Sequence, residues 1–226
     1  MTPRALYLVN GSISSMRVRI ALHDKDLAFE PRRLRVMREP RDTRSPAFLA
    51  LNPRGQAPVL VEPDGVTIHE SLAILTYLEL RYPEPSLLPR APAAMARALA
   101  FAQESEATAL AYEPLEQLFA GDVSDDQRRA IAGALADLDR ELALWEPRAA
   151  AAPFIAGDTP TLADCAFHPV LTYLLRRGLS LAAHPALAGY HARFAARPSA
   201  IAAQPEGWQP GVVGKPDLFA RARALA

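Results

Sequence analysis

Along the first eighty residues, short apolar runs alternate with stretches of helical spacing. Ala5–Val9 is an apolar run of strand length, and Val18, Ala21 and Leu22 follow at helical intervals. Phe29–Leu34 also has strand length, and Pro31 restricts it to a sheet edge or to its own end. Pro58–Glu62 and Val66–Ile68 flank Pro63-Asp64-Gly65, a turn between two β-branched runs, which predicts a hairpin. Leu72–Leu80 reads as a helix that stops before Pro83. The order strand, helix, strand, short helix, hairpin, helix predicts a small α/β layer domain.

Beyond Tyr82 the pattern changes. Prolines at 83, 85, 89 and 92 mark a linker, and from Ala93 onward the chain is rich in Ala and Leu at helical spacing with no strand pattern. Helices are expected over 92–119 (bent near Pro114), 124–146, 162–176, 185–196 and 199–203. The predicted organisation is an α/β domain over 1–83, a linker over 84–91 and an all-helical domain over 92–226. Thr161 stands three residues before Asp164 at the start of one helix. That is a capping-box spacing, so both are read as folding residues.

Composition narrows the class. The chain has 226 residues, long enough to bury a substantial core. Lys+Arg and Asp+Glu are equal at 25 each, so the charge balance gives no support for a nucleic-acid partner. No run approaches the roughly 20 apolar residues of a membrane span, and the apolar run in MTPRALYLVNG is too short for a signal-peptide core. Cys165 is the single cysteine, which excludes an internal disulfide and fits a reducing, cytoplasmic compartment. No His/Cys/Asp spacing suggests a metal, and no glycine-rich phosphate loop is present.

The chemistry concentrates in LNPRGQAPVLVEPDGVTIHESLAILTYL, residues 51–78. Pro58 opens a strand, where an X-Pro bond can be cis. Such a bond would turn the backbone so that Val59 offers its polar groups outside the sheet. His69-Glu70-Ser71 begins a helix. An acid and a hydroxyl at a helix N-terminus suit a ligand with both a carboxylate and an ammonium, the helix amides for the anion and Glu70 for the cation. His69 itself is read as a strand-end residue, and Cys165 as a buried apolar one.

Together with SISSMRVRIAL (12–22) and FIAGDTPTLADCAFHPVL (154–171), this segment resembles the glutathione S-transferase family. The resemblance covers essentially the whole chain. It implies an N-terminal thioredoxin-like domain joined to an all-α C-terminal domain, and glutathione as co-substrate. It further implies a cis bond at Pro58, glutathione backbone pairing at Val59, γ-glutamyl binding at Glu70 and Ser71, and a contact at Gln56. Arg38, Arg41 and Arg44 compete for the glycyl carboxylate. A homodimer is implied, with the electrophile held against the helical domain near Tyr112, Leu115, Phe119 and Trp208.

Where thioredoxin-like proteins carry a reactive C-x-x-C, this chain has Ser12-Ile13-Ser14-Ser15. Cysteine redox chemistry is therefore not expected, and a hydroxyl is left to hydrogen-bond the thiolate of glutathione. The stretch is most similar to the zeta-class motif S-S-C-x-x-R. Ser12 and Arg17 match it, while Ile13 and Ser14 replace its second serine and its cysteine. Lowering a thiol pKa by ~2 units takes roughly 2.7 kcal/mol. One hydrogen bond to a charged acceptor supplies about 1.5–3 kcal/mol and a helix N-terminus about 0.3–1 kcal/mol. Ser12 is thus the expected catalytic residue, Ser14 its rival and Ser15 a cap. The expected activity is a detoxifying transferase in which a serine-stabilised thiolate attacks a hydrophobic electrophile. The alternatives are a glutathione-dependent isomerase of the maleylacetoacetate type and a non-catalytic glutathione- or ligand-binding module.

Overall fold

The structure is a computed structural model and describes residues 3–119, 123–208 and 218–225. By its internal contacts the chain divides into two units, residues 3–89 with 197–208, and residues 90–196 with 218–225.

The first unit opens with β1 (Ala5–Leu8), whose Leu6 and Leu8 turn to one buried face while Ala5 and Tyr7 are half-buried on the other. Helix α1 (Ile13–Asp24) buries Met16, Val18, Ile20, Ala21 and Leu22. Strand β2 (Glu30–Arg33) runs parallel to β1, α2 (Pro46–Leu51) follows with Pro46 in its first turn, and β3 (Val59–Val61) and β4 (Thr67–His69) form the expected antiparallel hairpin. The sheet order is β2-β1-β3-β4, with β3 antiparallel to β1. β2 is an edge strand, so the ladder tolerates Pro31, which has no N–H to donate. Helix α3 (Ser71–Arg81) closes the unit and buries Ile74, Leu75 and Leu78.

Ion pairs fix the exit from this unit. Arg4 Nε meets Glu62 Oε2 at 3.0 Å, and the Tyr82 hydroxyl donates to the same carboxylate oxygen at 3.1 Å. Lys25 Nζ lies 2.7 Å from Glu79 and donates to the carbonyls of Tyr82 and Pro85. Glu79 in turn accepts from Leu87 N–H and the Ser86 hydroxyl. The proline-rich stretch is therefore pinned to the first unit by a buried lysine and a buried glutamate.

In the second unit, α4 (Pro92–Ala111) gives way to a 3-10 helix over Glu113–Phe119. The bend expected near Pro114 is thus a change of helix type: proline disfavours α geometry in the residue before it and cannot donate to the preceding turn. Helix α5 (Asp125–Ala151) runs past Pro147, because Trp145 and Ala149 continue its buried stripe. Helix α6 (Leu162–Arg176) is the centre of the unit, with every residue from Leu162 to Leu171 buried. The Phe167 ring stacks on Trp145 at 4.1 Å, and the Trp145 indole N–H donates to Thr108. Helices α7 (Pro185–Ala195) and α9 (Leu218–Leu225) complete it.

Between them in sequence, α8 (Pro198–Ala203) packs on α1 in the first unit, held by Arg197 on Asp24 at 2.5 Å. The helical pattern of 199–203 does not reveal that attachment. Of the predicted 92–226 domain, residues 120–122, 209–217 and 226 lie outside the described residues.

Candidate active site

The chain leaves β1 through Asn10 and Gly11, and Gly11 takes φ +79°, a left-handed conformation that glycine adopts without strain. This turn delivers Ser12 to the N-cap of α1, in extended conformation, with its Oγ accepting from Ser15 N–H at 3.2 Å. The cap uses a lone pair of the hydroxyl and leaves the O–H proton free to donate. Ser15 points inward: it is 2% exposed, and its Oγ accepts from Val9 N–H. Ser12 and Ser14 are half-buried. The first turn of α1 carries no acidic residue, so its positive end is uncompensated.

A second helix end belongs to the same unit. Glu70 is the N-cap of α3 at φ +69° and ψ 115°, rare for a residue with a side chain, and its carboxylate makes no capping bond. The Glu70 carboxylate is exposed, 4.0 Å from His69 Nδ1, and the first turn of α3 again lacks an acid. Ser71, the first residue of α3, is buried, and its Oγ accepts from Arg17 Nη1 at 3.4 Å. Arg17 is 1% exposed and thus joins α1 to the start of α3. Sequence reasoning places arginine on this helix without that bridge; its position within the zeta-type motif is the signal that points to it.

The 52–59 segment is built by close approach. A Cβ on Gly55 (φ +64°) would lie 2.8 Å from Thr43 O, so the backbone before Gln56 can pass there only as glycine. The same Cβ would come within 2.9 Å of Arg44 Nη1, which puts the Arg44 guanidinium beside the Gln56 segment. Arg41 is paired with Glu39 and Arg35 with Asp42. Gln56 is exposed, and its carbonyl accepts from the buried Asn52 amide at 2.7 Å. The Ala57-Pro58 bond is cis. Val59 is fully buried and registered against Tyr7 on one side and His69 on the other, so its N–H and C=O face sheet neighbours rather than the outside. The residue at the turn, outside the ladder, is Ala57.

Of the side chains expected around an electrophile, Trp208 belongs to the first unit, where a Cβ on Gly11 would touch its ring at 3.6 Å. The Asn10 side chain and Glu206 backbone exchange two hydrogen bonds, at 3.2 and 3.1 Å, and hold this segment to the turn before Ser12. Tyr112 lies beside Tyr173 with ring centroids 5.1 Å apart. Burial pushes both phenols up, that of Tyr173 to about 12, so both stay protonated at neutral pH. Leu115 is fully buried and offers no open surface; the Phe119 side chain lies outside the described residues.

Residues 6–86 match the glutathione S-transferase N-terminal domain and residues 100–198 the glutathione S-transferase C-terminal domain. A zeta-class glutathione S-transferase of Euphorbia esula is 32% identical over 212 residues, 89% of each chain. A maleylacetoacetate isomerase of Pseudomonas aeruginosa is 45% identical over 92 residues, 41% of this chain and 43% of that one. The crystal structure of a Methylobacterium radiotolerans glutathione S-transferase in complex with glutathione sulfonate superposes with a TM-score of 0.74 at 30% identity, covering 90% of this chain and 95% of that one. The chain belongs to the glutathione S-transferase family and is a glutathione-dependent enzyme. Among the described residues, no helix is long and apolar enough to cross a membrane.

Proposed function

We propose that the enzyme binds glutathione along the two helix N-termini of its first unit and that Ser12 holds the thiolate. The observation that carries this reading is the Ser12 hydroxyl, which caps α1 through a lone pair and keeps its proton for an anion at a helix end without an acid. Glu70 takes the γ-glutamyl ammonium, and Ser71 with the first amides of α3 takes its carboxylate. Ala57, rather than Val59, supplies the backbone pairing, because Ala57 stands before β3 while Val59 lies within it with a strand registered on either side. Gln56 and Arg44 flank the glycyl end. Arg44 is the arginine of its run that lies against Gly55, and it has no carboxylate partner among the described residues.

In the reaction the thiol proton leaves to solvent and the sulfur lone pair forms a carbon–sulfur bond to a hydrophobic electrophile. It either displaces a leaving group that departs with its bonding electrons or opens a conjugated π bond whose far carbon takes a proton from solvent. The Ser12 O–H, pointing at sulfur, favours the charged form by about 1.5–3 kcal/mol without ionising. A second activity is supported by the likeness of a 92-residue stretch of the chain to part of a maleylacetoacetate isomerase. There the same thiolate adds reversibly to a conjugated double bond, the adduct rotates, and glutathione is expelled unchanged. The same reading takes the enzyme to be a homodimer, as membership of its family implies. A cytoplasmic detoxifying role fits the single, buried cysteine.

The test compares Ser12→Ala with Ser14→Ala. Ser12→Ala should raise the pKa of enzyme-bound glutathione, read from thiolate absorbance against pH, and lower turnover of both a conjugation substrate and maleylacetoacetate, while Ser14→Ala stays near the parent. Full activity in Ser12→Ala removes the assignment. Failure of the parent to bind immobilised glutathione removes the site as a whole.

A further inference from the structure

The turn that carries the chain from α2 to β3 is closed by its own polar groups. Asn52 ends α2, its N–H donating to Phe48 O at 2.9 Å, and its carbonyl accepts from Gly55 N–H at 2.9 Å. The Asn52 side chain is buried, at 1% exposure. Its Oδ1 accepts from Arg54 N–H at 3.1 Å, and its Nδ2 donates to Gln56 O at 2.7 Å. A main-chain N–H only donates and a carbonyl only accepts, so these two partners fix which end of the amide is nitrogen. The frame around the turn is firm. The Phe48 ring packs edge-on against Tyr7 of β1, centroids 6.0 Å apart, and Gly55 lies so close to Thr43 O that a Cβ there would stand 2.8 Å from it.

A turn that only had to reverse the chain could leave the carbonyl of Gln56, an exposed residue, to water. Instead a buried side chain reaches it, and the effect is to orient a plane. The Gln56–Ala57 bond is trans, and in a planar trans peptide the C=O and the N–H point to opposite sides. With Gln56 O held on Asn52, the Ala57 N–H is turned away from Asn52 and out of the turn. Ala57 is half-buried and stands before β3, and among the described residues its N–H has no partner.

We propose that Asn52 is a positioning residue for glutathione: it holds the Gln56–Ala57 peptide with its N–H presented to a peptide carbonyl of the ligand. This rests on the reading in which Ala57 supplies the backbone pairing. Asn52 acts through the peptide plane. Without its donor, the plane can turn over about the two single bonds that flank it. The group then presented is a carbonyl, which repels the ligand carbonyl that the N–H would have bonded.

Asn52→Asp removes the donor alone. The carboxylate keeps the shape and an acceptor for Arg54 N–H, and it sets a second acceptor against Gln56 O. Glutathione affinity by calorimetry should weaken about ten-fold or more. The thiolate pKa of bound glutathione and the KM for the electrophile should stay at parent values, whereas a general loosening of the site would move all three. Hydrogen exchange at the Ala57 amide, followed by NMR, reads the plane directly. Saturating glutathione should slow it about ten-fold or more in the parent and leave it fast in Asn52→Asp. Should Asn52→Asp not fold, Asn52→Ser carries the same comparison, since its hydroxyl ends one bond short of the amide nitrogen. Parent-like affinity and parent-like protection of Ala57 in a folded Asn52 variant would overturn the role of Asn52 and leave the Ala57 pairing standing. If glutathione binds the parent without slowing exchange at Ala57, the pairing itself fails and the role of Asn52 falls with it.

Discussion

At the start of α6, Thr161 and Asp164 close on each other. The Asp164 carboxylate accepts from Thr161 N–H at 2.8 Å, from the Thr161 hydroxyl at 3.0 Å and from Ile155 N–H at 2.9 Å, and it is fully buried. At the start of α1, Ser12 accepts one amide at 3.2 Å and stays half-buried, with no acid in the turn beyond it. Both ends use a capping hydroxyl. In α6 an acid of the same chain neutralises the helix end, and every donor is spent internally. In α1 no acid neutralises the helix end, and the Ser12 O–H is left to donate, in the proposed reading, to a partner from solution. A cap becomes a site when the chain withholds the group that would complete it.

The comparison breaks most visibly at Asp164. Replacing it by Ala strips partners from two buried amides and a buried hydroxyl, each costing about 1–3 kcal/mol, so a loss of at least about 3 kcal/mol is expected. Chemical denaturation should show that loss, while the protein that remains folded keeps the glutathione affinity of the parent. Parent-like stability in Asp164→Ala would mean that α6 is not closed by this network.

The closed character of α6 extends to its second turn. His168 and His191 stack at 5.0 Å, and both ring Nε2 atoms lie 3.1 Å from the Thr172 hydroxyl. Burial and then His191 hold His168 well below 6.5, and burial alone lowers His191 to about 4. Folded-state pKa values below the unfolded one mean that the unfolded chain binds more protons in that window. Stability is therefore full above pH 6.5 and falls as pH drops toward about 4. For His191 the interval is about 2.5 pH units at about 1.4 kcal/mol each, or about 3 kcal/mol. Urea midpoints measured from pH 7 down to pH 4 should fall accordingly, and His191→Asn should flatten the curve.

At the open cap the effect moves from stability to activity. Ser12→Ala should lower kcat/KM by roughly 10- to 100-fold, the worth of a hydrogen bond to a charged acceptor, while stability falls by about 1 kcal/mol, an ordinary cap loss. Thr161→Ala should reverse the proportions. Equal stability losses with equal activities in the two variants would erase the distinction.

How much of this was legible in the sequence follows the same division. Local chemistry was readable: the strand-turn-helix with Ser12, the hairpin around Gly65, and the Thr161–Asp164 spacing each depend on a few adjacent residues. The edge position of β2 was readable as well, because Pro31 permits little else. What depends on distant packing was not. Pattern alone could not show α8 on α1, Arg17 reaching Ser71 across 54 residues, or Arg44 against Gly55. Val59 shows the limit most clearly. Its neighbour Pro58 marked the right turn, but which backbone faces outward is set by register against Tyr7 and His69, and that needs the whole sheet.

Glu70 sharpens the comparison at the second open end. In the proposed reading its partner is the ligand ammonium; its carboxylate makes no capping bond and stands 4.0 Å from His69 Nδ1. Glu70→Gln keeps the shape and removes the charge, so glutathione affinity should weaken about ten-fold by calorimetry, with the thiolate pKa in the bound state unchanged. A shifted pKa with unchanged affinity would assign Glu70 to the sulfur end instead.

The smallest effect is expected where the open cap is braced rather than built. Asn10 and Glu206 exchange two hydrogen bonds on an exposed surface, and Trp208 lies over Gly11 beside them. The brace touches no part of the Glu70 end, so Asn10→Ala should leave glutathione KM unchanged. It should loosen the turn that aims Ser12 and lower kcat two- to five-fold, the equivalent of about 0.5–1 kcal/mol. Steady-state kinetics with varied glutathione separates the two constants. A raised KM with unaltered kcat would place the brace in binding, and the aim of the serine would then rest on the cap alone.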